Sequence, residues 1–149
     1  MSIGEICNRK VVVMQRDETI AEAAKLMRDQ HFGSVLIVDE QNGQRIPVGI
    51  VTDRDLVVEV MAPGLDPDAI TVGDIMMTGF TSVKEDTGIF EAIQYMRTKG
   101  VRRLPVVDAE NKLVEIVTLD DLFLLLSEEL DALAKLVARE QHNEVATRR

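Results

Sequence analysis

Ile-Val-Thr-Asp-Arg-Asp-Leu at residues 50–56 returns as Ile-Val-Thr-Leu-Asp-Asp-Leu at residues 116–122. Upstream of these stretches the match continues in a second register, in which residues 3–40 lie over residues 72–109 and ten of those 38 positions are identical. Unrelated sequences of ordinary composition agree at only about one position in fifteen. The chain is therefore an internal duplication. Two copies are too few for a solenoid, so we expect each copy to bury its apolar face against the other.

Each copy shows the same order of predicted elements. A β-rich run comes first, at residues 11–13 and 80–83. An amphipathic helix follows, because apolar residues recur at i, i+3, i+4 and i+7 from Ile20 and again from Ile89. The next two strands are predicted at residues 35–38 and 48–51 in the first copy and at residues 104–107 and 113–117 in the second. With a further helix after each hairpin, the sequence predicts a mixed α/β (α+β) fold of two β-α-β-β-α units.

Turn-forming residues separate the two copies. Pro63-Gly64 and Asp66-Pro67 break the chain between them. We therefore place a first repeat at residues 3–62, a linker at 63–71, a second repeat at 72–126, and a C-terminal helix with a polar tail at 127–149. The linker is short, which favours repeats that pack closely together.

Composition narrows the functional classes. The chain has 149 residues and a net charge of −9, which argues against broad binding to nucleic acid or anionic membranes. No apolar run has the length of a membrane span. Cys7 is the sole cysteine, so no internal disulfide forms and a cytoplasmic location is expected; we interpret Cys7 as a half-buried small hydrophobe. No catalytic or metal-ligand spacing appears, and we predict that the protein is not an enzyme.

The repeated Thr-x-x-Asp motif supports two interpretations. Thr52 with Asp55, and Thr118 with Asp121, stand where a strand meets a helix. One interpretation is helix capping, which needs no ligand. The other is a ligand site, because a helix N-terminus suits a phosphate and a short carboxylate accepts hydrogen bonds from a ribose diol.

The residues directly before the second strand of each copy differ in charge between the copies. Arg102-Arg103 precede Leu104 in the second copy, and an arginine pair there is either a phosphate clamp or a solvated charge pair. The first copy has Gly33-Ser34 at the matching place, with His31 and Arg54 as its nearby basic residues. We therefore expect weaker anion binding by the first copy.

Several motifs together resemble a known family. They are Ile3-x-x-Ile6, Glu22-Ala23-x-x-x-Met27, Gly-Ile-Val-Thr-x-Arg-Asp-Leu at residues 49–56, and Val-Arg-Arg-Leu-Pro-Val-Val-Asp at residues 101–108. Their order, repeated twice, resembles a tandem cystathionine-β-synthase-type (CBS) domain pair, or Bateman module, of the stand-alone bacterial type. The resemblance covers residues 3 to about 130.

The resemblance implies both a fold and a ligand class. In this family two β-α-β-β-α units pack about a pseudo-twofold axis, and clefts between their sheets bind adenosyl ligands such as AMP, ATP, NAD or S-adenosylmethionine. No cofactor is required; the nucleotide is a regulatory ligand. Carried over to this chain, Asp55 and Asp121 would hold the ribose, Thr52 and Thr118 would lie near the ribose or phosphate, Arg102 and Arg103 would face the phosphate, and Val13, Thr81 and Ser82 would contact the adenine. We add Ser34 and Arg54 as candidate ligand-binding residues of the first copy.

One position departs from the family pattern. The glycine that opens the first motif, Gly49, is replaced by Glu115 in the second copy. A carboxylate there would crowd or repel a phosphate. Because the intact motif and the arginine pair lie in different copies, one shared site and two sites both remain open.

The pattern of the second copy continues into a C-terminal helix. Leu126, Leu130, Leu133 and Val137 form an apolar stripe that must be covered by the same domain or by a partner. The family resemblance implies a disc-like homodimer. We therefore expect a nucleotide-binding regulatory module that changes dimer geometry. The alternative is an adaptor that binds no ligand and docks an effector protein with this helix.

Overall fold

The computed structural model describes residues 1–6, 11–79 and 82–148, and it confirms the mixed α/β fold with two β-α-β-β-α repeats. The first repeat contains β1 (Val13–Met14), α1 (Ile20–Gln30), β2 (Ser34–Gln41), β3 (Gln44–Thr52) and α2 (Asp53–Asp55). After α3 (Val72–Ile75), the second repeat contains β4 (Val83–Lys84), α4 (Ile89–Lys99), β5 (Arg103–Val107), β6 (Leu113–Thr118) and α5 (Leu119–Thr147). A single 3₁₀ turn (Ile3–Glu5) precedes β1.

Each repeat forms one three-stranded sheet. The strand orders are β1-β2-β3 and β4-β5-β6, and in each sheet the first pair is parallel and the second antiparallel. The opening strands are short: Val13 pairs with Leu36, and Val83 pairs with Val106. The β-rich run predicted at residues 80–83 therefore contributes only its last residue to β4, and residues 80 and 81, like Cys7, lie outside the described residues.

The first long helix of each repeat ends in the same way. α1 and α4 each have 11 residues and terminate in the left-handed region, at His31 (φ 60°) and Gly100 (φ 65°). Their starts differ, because Thr19 forms a reciprocal capping box with Glu22, whereas Gly88 has no side chain to cap α4. The left-handed residue turns the chain directly into the central strand of the sheet.

The turn that opens each repeat packs on the other repeat. The N–H of Ile3 donates to the carbonyl of Thr87, and the N–H of Val72 donates to the carbonyl of Glu18, both at 2.8 Å. Ile3 is fully buried in the core of the second repeat, and Val72 is fully buried in the core of the first. This reciprocal exchange joins the repeats, while the sheet and helices of each repeat form a separate core and not one core made by two apolar faces in contact.

Glycines permit this exchange. A Cβ at Gly73 would lie 2.8 Å from the carbonyl oxygen of Arg16, and a Cβ at Gly4 would lie 2.9 Å from that of Glu85. Real Cβ atoms do not approach backbone oxygen so closely, so both positions need glycine. The two glycines are identical positions of the duplication, which explains why both copies have them.

The helices that follow the two hairpins differ most. α2 is one α-helical turn that continues as a π-helix (Leu56–Met61), whereas α5 has 29 residues. The C-terminal segment predicted as a polar tail is helical through Thr147, and every residue from 126 to 148 is exposed. No helix among the described residues combines the length and apolar character needed to cross a membrane.

Candidate functional site

The two Thr-x-x-Asp motifs form capping boxes with the same geometry. The N–H of Thr52 donates to Oδ2 of Asp55 (2.9 Å), and the N–H of Asp55 donates to Oγ1 of Thr52 (3.2 Å). Thr118 and Asp121 form the same two hydrogen bonds, at 2.9 and 3.2 Å. Both carboxylates therefore cap a helix, and each is half-buried.

Further amides at these helix starts are also engaged within the protein. The N–H of Asp53 donates to the carbonyl of Gly33 (3.0 Å), and that of Leu119 donates to the carbonyl of Arg102 (2.8 Å). The backbone groups that the sequence offered to a phosphate are therefore largely taken by the protein's own oxygens. At the first motif the N–H of Arg54 also donates to the carboxylate of Asp53 (2.9 Å), so an anion there has to be held by side chains.

A cavity of about 320 Å³ lies between the two repeats. From the first repeat it is lined by Val11, Val12, His31, Phe32, Gly33, Ser34 and Leu36, and from the second by Arg103, Ile116, Thr118, Asp120 and Asp121. Its volume is at the lower end of the range for small-molecule pockets, and it combines apolar side chains with a few polar groups in the way such pockets do.

The cavity brings together some of the predicted ligand-binding residues and separates others. Ser34, Arg103, Thr118 and Asp121 line it. The following do not: Val13, Thr52, Arg54, Asp55, Ser82 and Arg102. Thr81 lies outside the described residues. The Thr118–Asp121 motif, which we call the corner of the second repeat, thus faces the cavity together with Ser34 at the start of β2 in the first repeat. The Thr52–Asp55 motif is the corresponding corner of the first repeat.

Val12, directly before β1, takes the place predicted for Val13. Val12 lines the cavity, and its carbonyl accepts a hydrogen bond from the N–H of Leu36 (3.0 Å). Val13 instead lines a separate surface depression beside Glu18 and Arg45.

Successive side chains of a strand point to opposite faces of the sheet, which separates the two arginines and moves Glu115 away from the cavity. Arg103 lines the cavity, whereas Arg102 is exposed to solvent. In β6, Ile116 lines the cavity and Glu115 is 97% buried outside its lining, with a polar partner in the protein. The expectation that Glu115 crowds a ligand therefore does not apply to this cavity.

Several lining residues were not predicted for this site. Phe32, Leu36, Ile116 and Asp120 were not singled out, and His31 was assigned to the first copy alone. Alternation along β6 would have identified Ile116 from Thr118, because residues two apart share a face. The other four depend on how the two repeats pack, which the local pattern does not encode.

The charge of the cavity is mixed. Among its described lining residues Arg103 is the only arginine or lysine, and it is accompanied by the carboxylates of Asp120 and Asp121. The guanidinium lies beside Gly33, since a Cβ built there would be 3.7 Å from Nη2 of Arg103, an ordinary contact distance. No group of three His, Cys, Asp or Glu side chains within the described part of the chain is arranged to hold a metal ion.

The family model named CBS domain matches residues 3–62 and 72–128. The chain therefore belongs to the CBS domain family and contains two copies of the domain. It is 43% identical over 122 residues to an uncharacterised protein of Methanopyrus kandleri, covering 82% of this chain and 61% of that protein. It is 34% identical over 118 residues to hypoxic response protein 1 of Mycobacterium tuberculosis, covering 79% of this chain and 80% of that protein.

Several solved structures share the fold. The crystal structure of hypoxic response protein I with two coordinated zinc ions has a TM-score of 0.72 and 32% identity, covering 82% of this chain and 96% of that chain. The CBS domain pair of protein MJ0100 in complex with 5′-methylthioadenosine and S-adenosyl-L-methionine has a TM-score of 0.72 and 25% identity, covering 85% and 99%. The cytosolic domain of the Mg²⁺ channel MgtE in complex with ATP has a TM-score of 0.70 and 28% identity, covering 83% and 48%.

Proposed function

We propose that this chain is a regulatory module that binds an adenosyl ligand in the cavity between its two repeats. The observation that carries the proposal is the convergence of Asp121, Arg103 and Ser34 on one cavity with an apolar floor. The binding site is the cavity beside Thr118, to which both repeats contribute side chains.

Asp121 is the proposed ribose ligand. Its Oδ2 accepts a hydrogen bond from the N–H of Thr118. Its Oδ1 has no hydrogen bond to any of the residues that the structure describes. A carboxylate held in place by a cap is already oriented, so binding a diol requires little further ordering of the side chain. The cap and the ribose contact are therefore compatible functions of the same aspartate.

The purine would lie on the apolar part of the cavity. Val12 and Ile116 supply aliphatic surface, and Phe32 supplies an aromatic ring. Burial of such surface is favourable by about 25 cal/mol per Å² removed from water. Ser34 and Thr118 offer hydroxyl groups that can donate to or accept from the polar edges of a nucleoside.

The charge of the lining favours adenosyl ligands with few negative charges. One guanidinium, that of Arg103, faces the carboxylates of Asp120 and Asp121. A triphosphate would meet both carboxylates with a single compensating cation, and like charges within a few ångströms repel strongly in a partly buried site. Of the candidate ligands AMP, ATP, NAD and S-adenosylmethionine, we expect AMP and S-adenosylmethionine to bind more tightly than ATP.

The related structures support the ligand class. The MJ0100 pair was crystallised with 5′-methylthioadenosine and S-adenosyl-L-methionine, and the MgtE cytosolic domain with ATP. All three ligands contain adenosine and differ in the group attached to its 5′ carbon. An adenosine-binding cavity with a variable charged end is consistent with these complexes.

Regulation would pass through α5. Thr118 caps this helix, and Asp120 and Asp121 form its first turn, so all three cavity residues belong to or adjoin it. The same helix continues with exposed residues from 126 to 148. A ligand that contacts the first turn acts on the rigid element that leaves the domain, which provides a route from occupancy to the geometry of a dimer or to an effector protein.

Calorimetry with a matched pair of variants tests the proposal. Adenosine, 5′-methylthioadenosine, AMP, ATP, NAD and S-adenosylmethionine are titrated into the wild type, Asp121→Ala and Asp55→Ala. Both variants lose the same capping box, at a cost of about 0.5–2 kcal/mol in stability. Only Asp121→Ala removes a cavity carboxylate, and we expect it to weaken binding by about 10–100-fold, the range expected for hydrogen bonds to a charged group.

The outcomes separate the ribose assignment from the alternative function. Equal affinities of the wild type and Asp121→Ala would contradict the role given to Asp121. No binding of any of the six compounds would favour the adaptor function, in which the Thr-x-x-Asp motifs are caps alone. Thermal shift with the same compounds gives an independent check, because a ligand that binds only the folded state raises the apparent stability.

A further inference from the structure

A second cavity, of about 370 Å³, is also lined by residues of both repeats. Its described lining consists of Val11, Gly43, Arg45, Lys112, Leu113 and Val114. Gly43 and Arg45 lie at or beside the turn between β2 and β3, and residues 112–114 lie where β6 begins. We call this space the hairpin cavity, and we call the cavity proposed for the adenosyl ligand the adenosyl cavity.

The hairpin cavity is positively charged, although the chain as a whole has a net charge of −9. Its described lining contains one arginine and one lysine and no carboxylate. The side chains of Arg45 and Lys112 form no ion pair and no hydrogen bond with the described part of the chain. Two such cations beside one cavity repel each other, and an anion placed between them replaces this repulsion by two attractions.

The carboxylates nearest to Arg45 do not neutralise it. Arg45 also borders the surface depression that contains Val13, and Asp17, Glu18 and Glu40 line that depression. None of these three carboxylates forms an ion pair with Arg45. The guanidinium is therefore available to an anion, and its planar set of N–H donors matches the oxygens of a phosphate.

Both hairpin turns have a defined backbone conformation. The first is a two-residue loop in which Asn42 (φ 53°) and Gly43 (φ 76°) have the positive φ values of a tight hairpin turn. In the second, Oδ1 of Asp108 accepts hydrogen bonds from the N–H of Glu110 (2.9 Å) and the N–H of Lys112 (3.0 Å). The backbone beside both cations is thus ordered before a ligand binds, and binding has to order only their side chains.

The two cavities follow one another along one face of β6. Val114 lines the hairpin cavity, whereas Ile116 and Thr118 line the adenosyl cavity. These three side chains share a face of the strand, because residues two apart point to the same side. Val11 lines both cavities, so the cavities adjoin.

The cations of the two cavities are nevertheless far apart. Arg103 pairs with Thr118 at the end of β6, and Lys112 directly precedes Leu113 at its start. At about 3.3 Å per residue the strand spans about 17 Å. One phosphate cannot contact both Arg103 and Lys112, so an anion in the hairpin cavity occupies a site distinct from the phosphate end of the adenosyl cavity.

We propose that the hairpin cavity binds a small phosphate-type anion between Arg45 of the first repeat and Lys112 of the second. The anion is either a free phosphate or pyrophosphate or the terminal phosphates of a larger molecule. A long polyanion such as nucleic acid would meet the acidic remainder of the surface. Because each repeat supplies one cation, the bound anion links the repeats. The proposal does not depend on the adenosyl ligand.

Calorimetry of the full chain with pyrophosphate tests the site, in about 0.1 M chloride, where charges more than about 10 Å apart are largely screened. Arg45→Gln and Lys112→Gln each remove one charge and keep a polar side chain. We expect each to weaken binding by about 10–100-fold, the range for hydrogen bonds to charged groups, and the double variant to show no measurable binding. Arg28→Gln and Lys25→Gln are the matched controls. Both residues are exposed on α1 outside the cavity lining, and we expect changes of less than about threefold.

Arg103→Gln distinguishes the two cavities without any adenosyl ligand. We expect it to change the affinity for pyrophosphate by less than about threefold, because Arg103 lies more than a screening length from Lys112. A loss of binding in Arg103→Gln that is absent from Arg45→Gln would place the anion in the adenosyl cavity and overturn the proposal. So would a wild type that binds neither pyrophosphate nor phosphate, or a double variant that binds as the wild type does.

Thermal unfolding provides a second measurement on the same proteins. Without ligand we expect the double variant to unfold at the temperature of the wild type, because neither side chain contributes a hydrogen bond or ion pair within the described part of the chain. Pyrophosphate should raise the unfolding temperature of the wild type and leave that of the double variant unchanged. An equal rise in both proteins would contradict the assignment to Arg45 and Lys112.

ATP identifies the source of the phosphate. It is titrated against pyrophosphate in the Arg103→Gln background, with and without Arg45→Gln. ATP that binds at least as tightly as pyrophosphate and responds to Arg45→Gln supports the site as a seat for the phosphates of a nucleotide. ATP that binds more weakly, while pyrophosphate still responds to Arg45→Gln, supports the site as one for a free anion. Failure of both compounds to respond to Arg45→Gln would overturn the proposal and leave the proposed function untouched.

Discussion

In both repeats a threonine and the aspartate three residues later exchange hydrogen bonds of 2.9 and 3.2 Å, Thr52 with Asp55 and Thr118 with Asp121. Only the second corner lines the cavity between the repeats. The two motifs differ in the part of the other repeat that lies opposite them and in the two residues between the threonine and the aspartate. The same local hydrogen-bond pattern is therefore found at a motif that only caps a helix and at a motif that also faces the cavity.

The two residues between threonine and aspartate change the charge of the corner. They are Asp53-Arg54 in the first copy and Leu119-Asp120 in the second. Asp120 lines the cavity, so the position that is basic in one repeat is acidic at the described site. The two copies therefore share the helix cap and differ in the charge of the residue beside it.

The largest expected effect comes from Arg103. It is the one arginine on the described cavity lining, while its neighbour Arg102 is exposed outside it. We expect Arg103→Ala to weaken binding of AMP by about 10–100-fold and that of adenosine much less, because a charge-assisted hydrogen bond to phosphate is lost. Calorimetry with both compounds measures the ratio.

Arg102→Ala is the control for that measurement. It removes the same charge from the adjacent position of the chain, so long-range electrostatic effects on AMP are similar in both variants. We expect Arg102→Ala to change the affinity for AMP by less than about threefold, since exposed charges interact weakly through water. Equal losses in the two variants would show that the distinction between the arginines is wrong.

A smaller effect is expected from exchanging the charge at Asp120. Asp120→Arg gives the second corner the residue found at Arg54 in the first. We expect the affinity for ATP to rise by about tenfold at low ionic strength and the gain to shrink in 0.5 M salt, because it is Coulombic and partly screened. Asp120→Asn separates removal of the negative charge from addition of a positive one.

Loss of the threonine hydroxyl should lower the stability by the same amount at both helix caps. Thr52→Ala and Thr118→Ala each remove a hydroxyl that accepts a hydrogen bond at 3.2 Å, so each should lower the free energy of unfolding by about 1 kcal/mol. Urea denaturation measures both losses. Calorimetry on the same proteins should show weaker ligand binding for Thr118→Ala alone. A ligand effect of the same size in Thr52→Ala would place a second functional site at the first corner.

The sequence predicts the fold more completely than the site. The duplication, the apolar periodicity from Ile20 and Ile89, and the hairpin strands locate most elements, because each depends on residues close in the chain. The exchange of Ile3 and Val72 between the cores was not foreseen, since nothing local shows that an opening turn packs on the other repeat.

Spacing alone does not distinguish the Thr-x-x-Asp motifs of the chain from one another. Thr71 and Asp74 form a third box of the same kind, with hydrogen bonds of 3.0 and 3.3 Å, at the start of the short helix α3. The Thr-x-x-Asp pattern therefore identifies helix starts and does not show which of them faces a cavity. That depends on how the repeats pack, which brings Ser34 and Val12 of the first repeat to the cavity lined by Asp121.

The smallest expected effect is on stability and concerns an exposed ion pair that only the first repeat can form at this position. Arg16 donates through Nε and Nη2 to Asp39, both at 2.8 Å, whereas the matching residues of the second repeat are Glu85 and Asp108. These hydrogen bonds lower the pKa of the Asp39 carboxyl below its ordinary value of 3.8. The stabilisation is therefore present above about pH 4 and is lost as the pH falls through the lowered pKa of the folded state.

Asp39→Asn should consequently destabilise the fold slightly at pH 7 and less at pH 3, as measured by urea denaturation at both pH values. The pair is exposed, so the effect should be small and should decrease with salt. A double-mutant cycle with Arg16→Gln isolates the interaction from other effects of each substitution. A coupling energy that is the same at both pH values would mean that ionisation of Asp39 is not its source, since a protonated carboxyl loses the charge that strengthens these bonds.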